Sequence, residues 1–272
     1  MTKRLHKYLP FIQAGGQEVL AYRTNFYLRL ISQSLGAFVT YFLWQSIFLS
    51  ANHPSLNGFT LPQMVFYVFL SFFTSLITSS GGNWSIGDEV KDGSIAMRLL
   101  KPVSFSGTYL FQELGEKMMT LGLVAIPFIL GLVLFQIFNP AAGVFNVGNI
   151  LLYLISSLFA YLLNFYFNIC FGFTAFIFKN LWGSNMMKNS IIAFMSGALI
   201  PIAFFPHDIA VVLQFFPFAS LIYTPVMIGM GLYRGSQFLM VIFLQVFWLL
   251  FFFVLEKIIW RVTIIRLNIQ GG

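Results

Sequence analysis

Long apolar runs separated by short polar segments dominate the chain. Six stand out, at residues 26–50, 61–83, 118–138, 149–178, 189–205 and 237–256. An α-helix needs roughly 20 mainly apolar residues to cross the hydrocarbon core of a bilayer. The pattern therefore predicts an all-α integral membrane protein with six transmembrane helices, forming a single membrane domain over residues 1–272.

The segment before the first run has a different pattern. Its apolar residues recur at roughly helical spacing and its basic residues lie on the opposite side, the main positions being Lys3, Arg4, Leu5, Lys7, Tyr8, Leu9 and Ile12. This pattern is typical of an amphipathic helix lying on a membrane surface. We therefore expect residues 1–25 to form a cytoplasmic interfacial helix; a partly disordered basic tail is the alternative.

Residues 209–233 are apolar enough to form a seventh span, but two prolines, Pro217 and Pro225, interrupt them. A seventh span would also move Lys257, Arg261 and Arg266 to the outer side of the membrane. We therefore expect a re-entrant hairpin within residues 207–236, dipping into the membrane from outside between spans five and six. Such broken backbone is tolerated only where protein or water covers it.

Composition indicates that lipid surrounds most of the protein, and the distribution of basic residues indicates how the chain is oriented in the membrane. Of all residues 58% are hydrophobic and only 8% are charged, against roughly 25% charged in soluble domains. Of the 15 basic residues, all but Arg234 fall on one side of the six-span arrangement, which the positive-inside rule assigns to the cytoplasm. We expect the protein to lie in the plasma membrane, namely the inner membrane of a bacterium, with both termini in the cytoplasm. Because the basic residues lie beside the apolar runs, the net charge of +7 indicates contact with anionic lipid headgroups and not with nucleic acid.

Residues for catalysis, metal binding or nucleotide binding are not grouped in the sequence. The histidines His6, His53 and His207 are widely separated, Cys170 is the single cysteine, and no glycine-rich phosphate loop is present. We therefore expect neither a metal site nor an ATP site in this chain. The carboxylates nearest the runs lie at their cytoplasmic ends, which disfavours an ion-coupled carrier because such carriers usually keep an ionisable group at mid-membrane.

One polar segment, the loop at residues 84–117, is rich enough to carry a function. Ser94 is a candidate helix cap, and Ile95 with Leu99, like Ala96 with Leu100, is spaced to lie on one side of a short helix that Pro102 would end. The segment predicts a short amphipathic helix on the cytoplasmic side. It would either dock into a groove on a soluble partner or rest on lipid headgroups.

Two motifs resemble those of type-2 ABC exporter permeases. The first is the loop pattern Asp92-Gly93-Ser94-Ile95 followed by Leu99-Leu100-Lys101-Pro102-Val103. The second is the late pattern Ser196-Gly197-Ala198-Leu199-Ile200-Pro201, Phe204-Phe205-Pro206, Phe216-Pro217-Phe218 and Tyr223-Thr224-Pro225. Together with the six spans and the loop position, the match covers nearly the whole chain.

The resemblance implies a mechanism and partners. Two permeases, the same or different chains, would face each other, each served by a separate cytoplasmic ATPase that binds ATP and Mg. The loop helix would couple to that ATPase through Glu89, Asp92, Gly93, Ser94, Ile95, Arg98, Leu99, Leu100, Lys101 and Pro102. The outer hairpin would gate exit through Pro206, Phe216, Pro217, Phe218 and Pro225.

The substrate path is predicted only from polar residues inside the spans. The candidates are Gln33, Thr74, Thr78, Asn164 and Asn168. Asn164 and Asn168 share a helix face, so they would either line the path or hydrogen-bond neighbouring helices. Two other functions are the alternatives: a stand-alone carrier or channel, and a membrane-embedded enzyme acting on lipids.

Overall fold

The computed structural model describes residues 6–51, 53–140, 147–178, 180–233 and 235–265, and these are mostly helical. Several residues used in the sequence analysis lie outside the described residues: Lys3, Arg4, Leu5, Lys179, Arg234 and Arg266. The helices are α1 Leu9–Ala21, α2 Arg23–Ser50, α3 Leu61–Thr78, α4 Gly82–Asp92, α5 Ile95–Leu99, α6 Phe105–Phe138, α7 Val147–Gly172, α8 Trp182–Met195, α9 His207–Phe215, α10 Tyr223–Gly229 and α11 Ser236–Ile265. A two-stranded antiparallel hairpin, β1 Ser55–Leu56 and β2 Phe59–Thr60, connects α2 to α3.

Four helical segments are long and apolar enough to cross a membrane: Leu61–Asp92, Phe105–Phe138, Gly148–Phe176 and Ser236–Ile264. They contain the second, third, fourth and sixth predicted spans. The helices at the first and fifth predicted spans, α2 and α8, are not among them. Polar residues such as Gln33 and Gln45 recur along α2. Helix α8 has 14 residues and is about 21 Å long, against a hydrocarbon core of about 30 Å.

The polar loop at residues 84–117 is more helical than its composition suggests. Helix α4 follows α3 after a break at residues 79–81, and α6 begins at Phe105, well before the predicted start at residue 118. The Ser104 side chain caps α6 by accepting a 3.4 Å hydrogen bond from the Gly107 amide. The two membrane helices therefore continue into the loop, and only α5 and short turns lie between them.

Side chains pack into two clusters that share helix α7. One surrounds Tyr67 and Val226, and the other surrounds Ile86 and Phe165. Helix α3 is largely buried, whereas α6 exposes most of its apolar surface. Apolar side chains on the outside are the expected arrangement where lipid, not water, is the solvent.

Helices α1 and α6 cross at a pair of glycines. A Cβ atom on Gly15 would lie 1.9 Å from the carbonyl oxygen of Gln112, and one on Gly115 would lie 2.0 Å from that of Ile12. Only glycine permits such a close backbone approach. A helix is present at Leu9–Ala21, within the predicted residues 1–25, and it packs directly on α6. Its position on the cytoplasmic membrane surface stays a prediction.

The segment between α8 and α11 forms two short helices, α9 and α10, joined by a turn at residues 216–222. Gln245 of α11 holds this turn, because its Nε2 donates to the carbonyl oxygens of Ser156 (3.0 Å) and Ser220 (2.9 Å). Pro217 lies in the turn. Pro225 was expected to break the helix but lies in the first turn of α10, where a missing amide hydrogen costs nothing.

Candidate functional site

The turn between α4 and α5 depends on Gly93. This residue ends α4 with a φ of +79°, a conformation that costs a residue with a side chain about 1–2 kcal/mol. Asp92 supports the turn by accepting a 2.8 Å hydrogen bond from the Ser94 amide through Oδ1. Ser94 lies at the amino-terminal end of α5, but its side chain makes no capping hydrogen bond, so the predicted cap is wrong.

Arg98 holds α5 against α4 and α6. Its Nε donates to Glu89 Oε2 at 2.8 Å, its Nη2 also pairs with Glu89, and its Nη1 donates to Thr108 Oγ1 at 2.9 Å. The guanidinium lies 3.9 Å from the centre of the Tyr109 ring, whose hydroxyl donates to Glu89 at 2.8 Å. Gln112 accepts a further bond from Nη2. We call these five residues the Arg98 latch.

The two faces of α5 differ from the sequence expectation. Ile95 is buried and Leu99 is half-buried, but Leu100 is 79% exposed and Met97 is 67% exposed. The prediction that Leu100 shares the packed side of α5 with Ile95 and Leu99 is therefore wrong, because α5 ends at Leu99 and the chain turns outward. The exposed loop surface consists of Asp92, Gly93, Ser94, Met97, Leu100, Lys101 and Pro102.

Helix α1 adjoins this loop. The Tyr8 hydroxyl accepts a 3.2 Å hydrogen bond from the Ser104 amide, and the Tyr8 ring stacks on Phe111 with centroids 4.5 Å apart. The Lys101 ammonium lies 5.0 Å from the centre of the Phe11 ring. The position of α1 is thus tied to the residues on both sides of Pro102.

A groove of about 500 Å³ runs between the loop and the end of α11. Leu99, Phe105, Lys257 and Trp260 are among its lining residues. Phe105 stacks on Trp260 with centroids 4.2 Å apart, so α6 and α11 are packed together at the base of this groove.

Four of the five predicted substrate-path residues are engaged in internal hydrogen bonds. Thr74 Oγ1 donates to the Leu70 carbonyl at 2.7 Å and lies 2.9 Å from the Tyr153 hydroxyl oxygen. Asn164 Nδ2 donates to the Thr78 carbonyl at 2.8 Å, and Asn168 Nδ2 donates to Asn164 Oδ1 at 2.9 Å. The Asn164 bond satisfies a carbonyl in the last turn of α3, where the helix breaks, and Asn168 supports Asn164. Both contacts favour the structural alternative for the two asparagines.

The fifth residue, Gln33, lines a cavity of about 360 Å³ between α2, the α3–α4 break, α6 and α8. We call it the mixed-charge cavity, since Arg29, Glu113, Glu116 and Lys117 are in its walls. The sequence analysis used the basic residues to orient the spans and the carboxylates only as evidence against an ion-coupled carrier. The signal for a site was present in the spacing of Glu113, Glu116 and Lys117, which puts all three on one side of α6.

The predicted outer-gate residues lie around α9 and the turn that follows. Pro206 precedes α9, Phe216 ends it and is 44% exposed, and Phe218 contacts Phe167 edge-on with centroids 5.7 Å apart. Pro217 is in the turn, and Pro225 is buried in α10. Four of the five therefore flank α9 or follow it directly, whereas Pro225 lies in the next helix, and their role as a gate stays a prediction.

Four long helical segments with apolar side chains on their outer surfaces, joined in part by an ordered polar loop, define a multi-pass membrane protein. Among the described residues, no three His, Cys, Asp or Glu side chains are placed to hold a metal ion. No curated protein and no solved structure matches the chain. The family model described as "ABC-2 family transporter protein" matches residues 35–271.

The chain therefore belongs to the ABC-2 transporter family, and the resemblance read from its two motifs is confirmed. It is a membrane component of an ABC-2 transporter. Members of this family lack an ATPase domain, so the family implies that ATP is bound by a partner subunit.

Proposed function

We propose that the chain is the six-span permease of an ABC exporter, moving substrate across the plasma membrane with energy from ATP hydrolysed by a separate cytoplasmic subunit. The observation that carries the proposal is the exposed loop surface, where the apolar side chains of Met97 on α5 and of Leu100 directly after it are exposed beside the Arg98 latch. Apolar side chains presented on a rigid polar loop are typical of a docking surface for another protein.

The latch gives this surface a mechanical connection to the membrane helices. Arg98 pairs with Glu89 on α4 and with Thr108 on α6, and both helices continue into long apolar segments. A force applied to α5 by an ATPase would therefore act on two membrane helices at once. We propose this role for the residues predicted from the loop motif: Arg98 and Glu89 transmit the force, while Asp92, Gly93, Ser94 and Pro102 shape the contact.

A change at Leu100 tests the docking surface. We expect Leu100→Asp to abolish copurification of the ATPase subunit with tagged permease in mild detergent, because a carboxylate would be buried in an apolar contact. Since Leu100 is 79% exposed, the permease itself should insert and melt as the unchanged protein does. Copurification is measured by quantitative mass spectrometry of the eluate together with ATP hydrolysis.

Leu100→Met is the matched control, since it keeps an apolar side chain of similar volume and should retain the ATPase. An unchanged yield of ATPase with Leu100→Asp would contradict the proposed docking surface. A wild-type preparation that contains no ATPase and transports with an ion gradient alone would instead favour the stand-alone carrier.

The proposal includes a topology with α2 and α8 as the first and fifth spans, both termini in the cytoplasm and a re-entrant hairpin at α9–α10. Labelling of single cysteines with a membrane-impermeant maleimide, in a Cys170→Ala background, distinguishes it from four spans. Six spans put His53→Cys and Ser236→Cys together outside and Lys91→Cys inside. If only the four long apolar segments crossed, Ser236→Cys would react on the same side as Lys91→Cys.

The proposed assembly contains a second permease, and the exit gate is assigned to the region of α9, Phe216 and Phe218. Exposed apolar side chains on α2, such as Leu35, Val39 and Phe42, suit contact with either lipid or the second permease. Whether the second permease is the same chain is read from the subunit masses of the purified complex.

A further inference from the structure

The mixed-charge cavity has fixed walls and an open, charged edge. Glu113 is buried, and its carboxylate is satisfied: Oε1 accepts from the Ser80 hydroxyl at 2.8 Å and the Gly81 amide at 2.9 Å, and Oε2 accepts from the Tyr161 hydroxyl. The Lys117 ammonium donates to the Leu76 carbonyl at 3.3 Å. These two charges hold the α3–α4 break against α6 and are already occupied.

The edge of the cavity is formed by an ion pair that remains accessible. Arg29 Nη2 lies 2.8 Å from Glu116 Oε1, and the two side chains are 51% and 40% exposed. Each retains hydrogen-bonding atoms beyond this single contact. An exposed pair of this kind contributes little to stability, so a ligand can replace or share the contact at low cost.

One acceptor in the cavity wall is left without a partner. Gln33 Oε1 is buried and has no hydrogen-bond partner among the described residues. A buried polar atom without a partner costs free energy, and a hydrogen-bond donor brought by a ligand would recover it. The cavity walls carry two positive charges, from one arginine and one lysine, and two negative charges, from two glutamates. A ligand with a single net charge would therefore meet as many like charges as opposite ones.

Above the cavity, helix α6 becomes apolar on the same side. Met119 and Leu123 follow Glu116 by three and seven residues and are 41% and 57% exposed, so they continue its helix face. The other direction along α6 leads to the Arg98 latch, since Gln112 and Glu113 are adjacent. The cavity therefore lies between the latch and an exposed apolar track.

We propose that the mixed-charge cavity binds the zwitterionic head group of an amphipathic molecule, with its ammonium at Glu116 and Gln33, its anionic group at Arg29 and its apolar part along α6. This inference deepens the proposed exporter function and rests on it for the direction of movement. Two sources share this chemistry, namely a phosphoethanolamine lipid of the bilayer and a transported amphipath with the same kind of head.

Lipid binding to the purified full-length permease tests the site. Native mass spectrometry is used to titrate phosphatidylethanolamine against phosphatidylglycerol with the same acyl chains. We expect preference for phosphatidylethanolamine, and about a tenfold loss of its affinity in Arg29→Gln and in Glu116→Gln, the effect of removing one charge-assisted hydrogen bond. Lys91→Gln removes an exposed charge on α4, away from the cavity and from the amino-terminal helix, and should leave the affinity unchanged.

The outcomes distinguish a resident lipid from a transported amphipath, and the lipid site from the proposed ATPase coupling. ATP-dependent movement of acyl-labelled phosphatidylethanolamine between leaflets would identify the head group as that of the substrate, whereas binding without movement would identify a resident lipid; both support the site. Equal binding of phosphatidylglycerol, or unchanged affinity in variants that melt normally, would overturn it. The titration needs no ATPase, so a failed copurification would refute the proposed coupling and leave this result standing.

Discussion

Arg98→Ala is expected to yield a permease that inserts and binds its ATPase but loses ATP-driven transport by at least about tenfold. The substitution removes the hydrogen bonds from the loop helix to Glu89, Thr108 and Gln112. It also leaves Glu89 unpaired in a place where its side chain is only 20% exposed, and breaking a buried pair in this way costs about 3 kcal/mol. Transport and ATP hydrolysis measured in the same vesicles check the result.

Two variants distinguish transmission of force through the Arg98 latch from the simple loss of a positive charge. Arg98→Lys keeps the positive charge but not the two-pronged geometry that contacts α4 and α6 together, so we expect it to remain strongly impaired. The double exchange Arg98→Glu with Glu89→Arg restores an ion pair across the same gap and should recover part of the coupling. Full transport by Arg98→Ala, with the loop still docked on the ATPase, would show that force does not pass through the latch.

The limits of sequence reasoning are visible at the latch itself. The resemblance predicted Arg98 and Glu89 as coupling residues, and the spacing of Ile95 and Leu99 predicted the packed side of α5. The partners Thr108 and Gln112 were missed because they belong to a stretch that reads as a polar loop and folds as the first turns of α6. Local periodicity cannot reveal which of several polar residues a guanidinium will contact once three helices meet.

The two asparagines of α7 show the opposite case. Their spacing correctly put Asn164 and Asn168 on one helix face, and the sequence left lining and hydrogen bonding as alternatives. The choice depends on the Thr78 carbonyl, which is freed where α3 ends and accepts from Asn164. The position of that break was not predicted, because the second predicted span, residues 61–83, runs through residues 79–81 without interruption.

The apolar runs predicted some of the membrane helices better than others. Hydrophobicity identified the helices at α3, α6, α7 and α11, where composition alone is decisive. It is less informative for α8, whose helix ends at Met195, because the chain reverses at Gly197, a residue with a φ of +79°. The Gly197 carbonyl accepts a 2.7 Å bond from the Tyr67 hydroxyl, a long-range contact that no local pattern contains.

Gly15→Ala is expected to detach α1 from α6 and to lower the melting temperature by roughly 5 °C or more. Within an isolated helix, this substitution would instead be stabilising by about 1 kcal/mol, so the expected sign comes entirely from the crossing. The new methyl group would meet the Gln112 carbonyl oxygen at 1.9 Å, and backbone cannot move aside as a flexible side chain can. Gly115→Ala should act alike, since its methyl would meet Ile12 at 2.0 Å.

Two neighbouring glycines supply matched controls. Gly16→Ala has its nearest contact at 3.5 Å, a Met119 side-chain atom, and Gly122→Ala has no atom within 4 Å, so both should melt at or above the temperature of the unchanged protein. Detachment of α1 would also break the Tyr8–Ser104 bond beside the loop, so ATP-driven transport should fall together with the melting temperature. Equal melting of the Gly15 and Gly122 variants would mean that α1 does not rest on α6 in the membrane, and that the loop is held by the Arg98 latch alone.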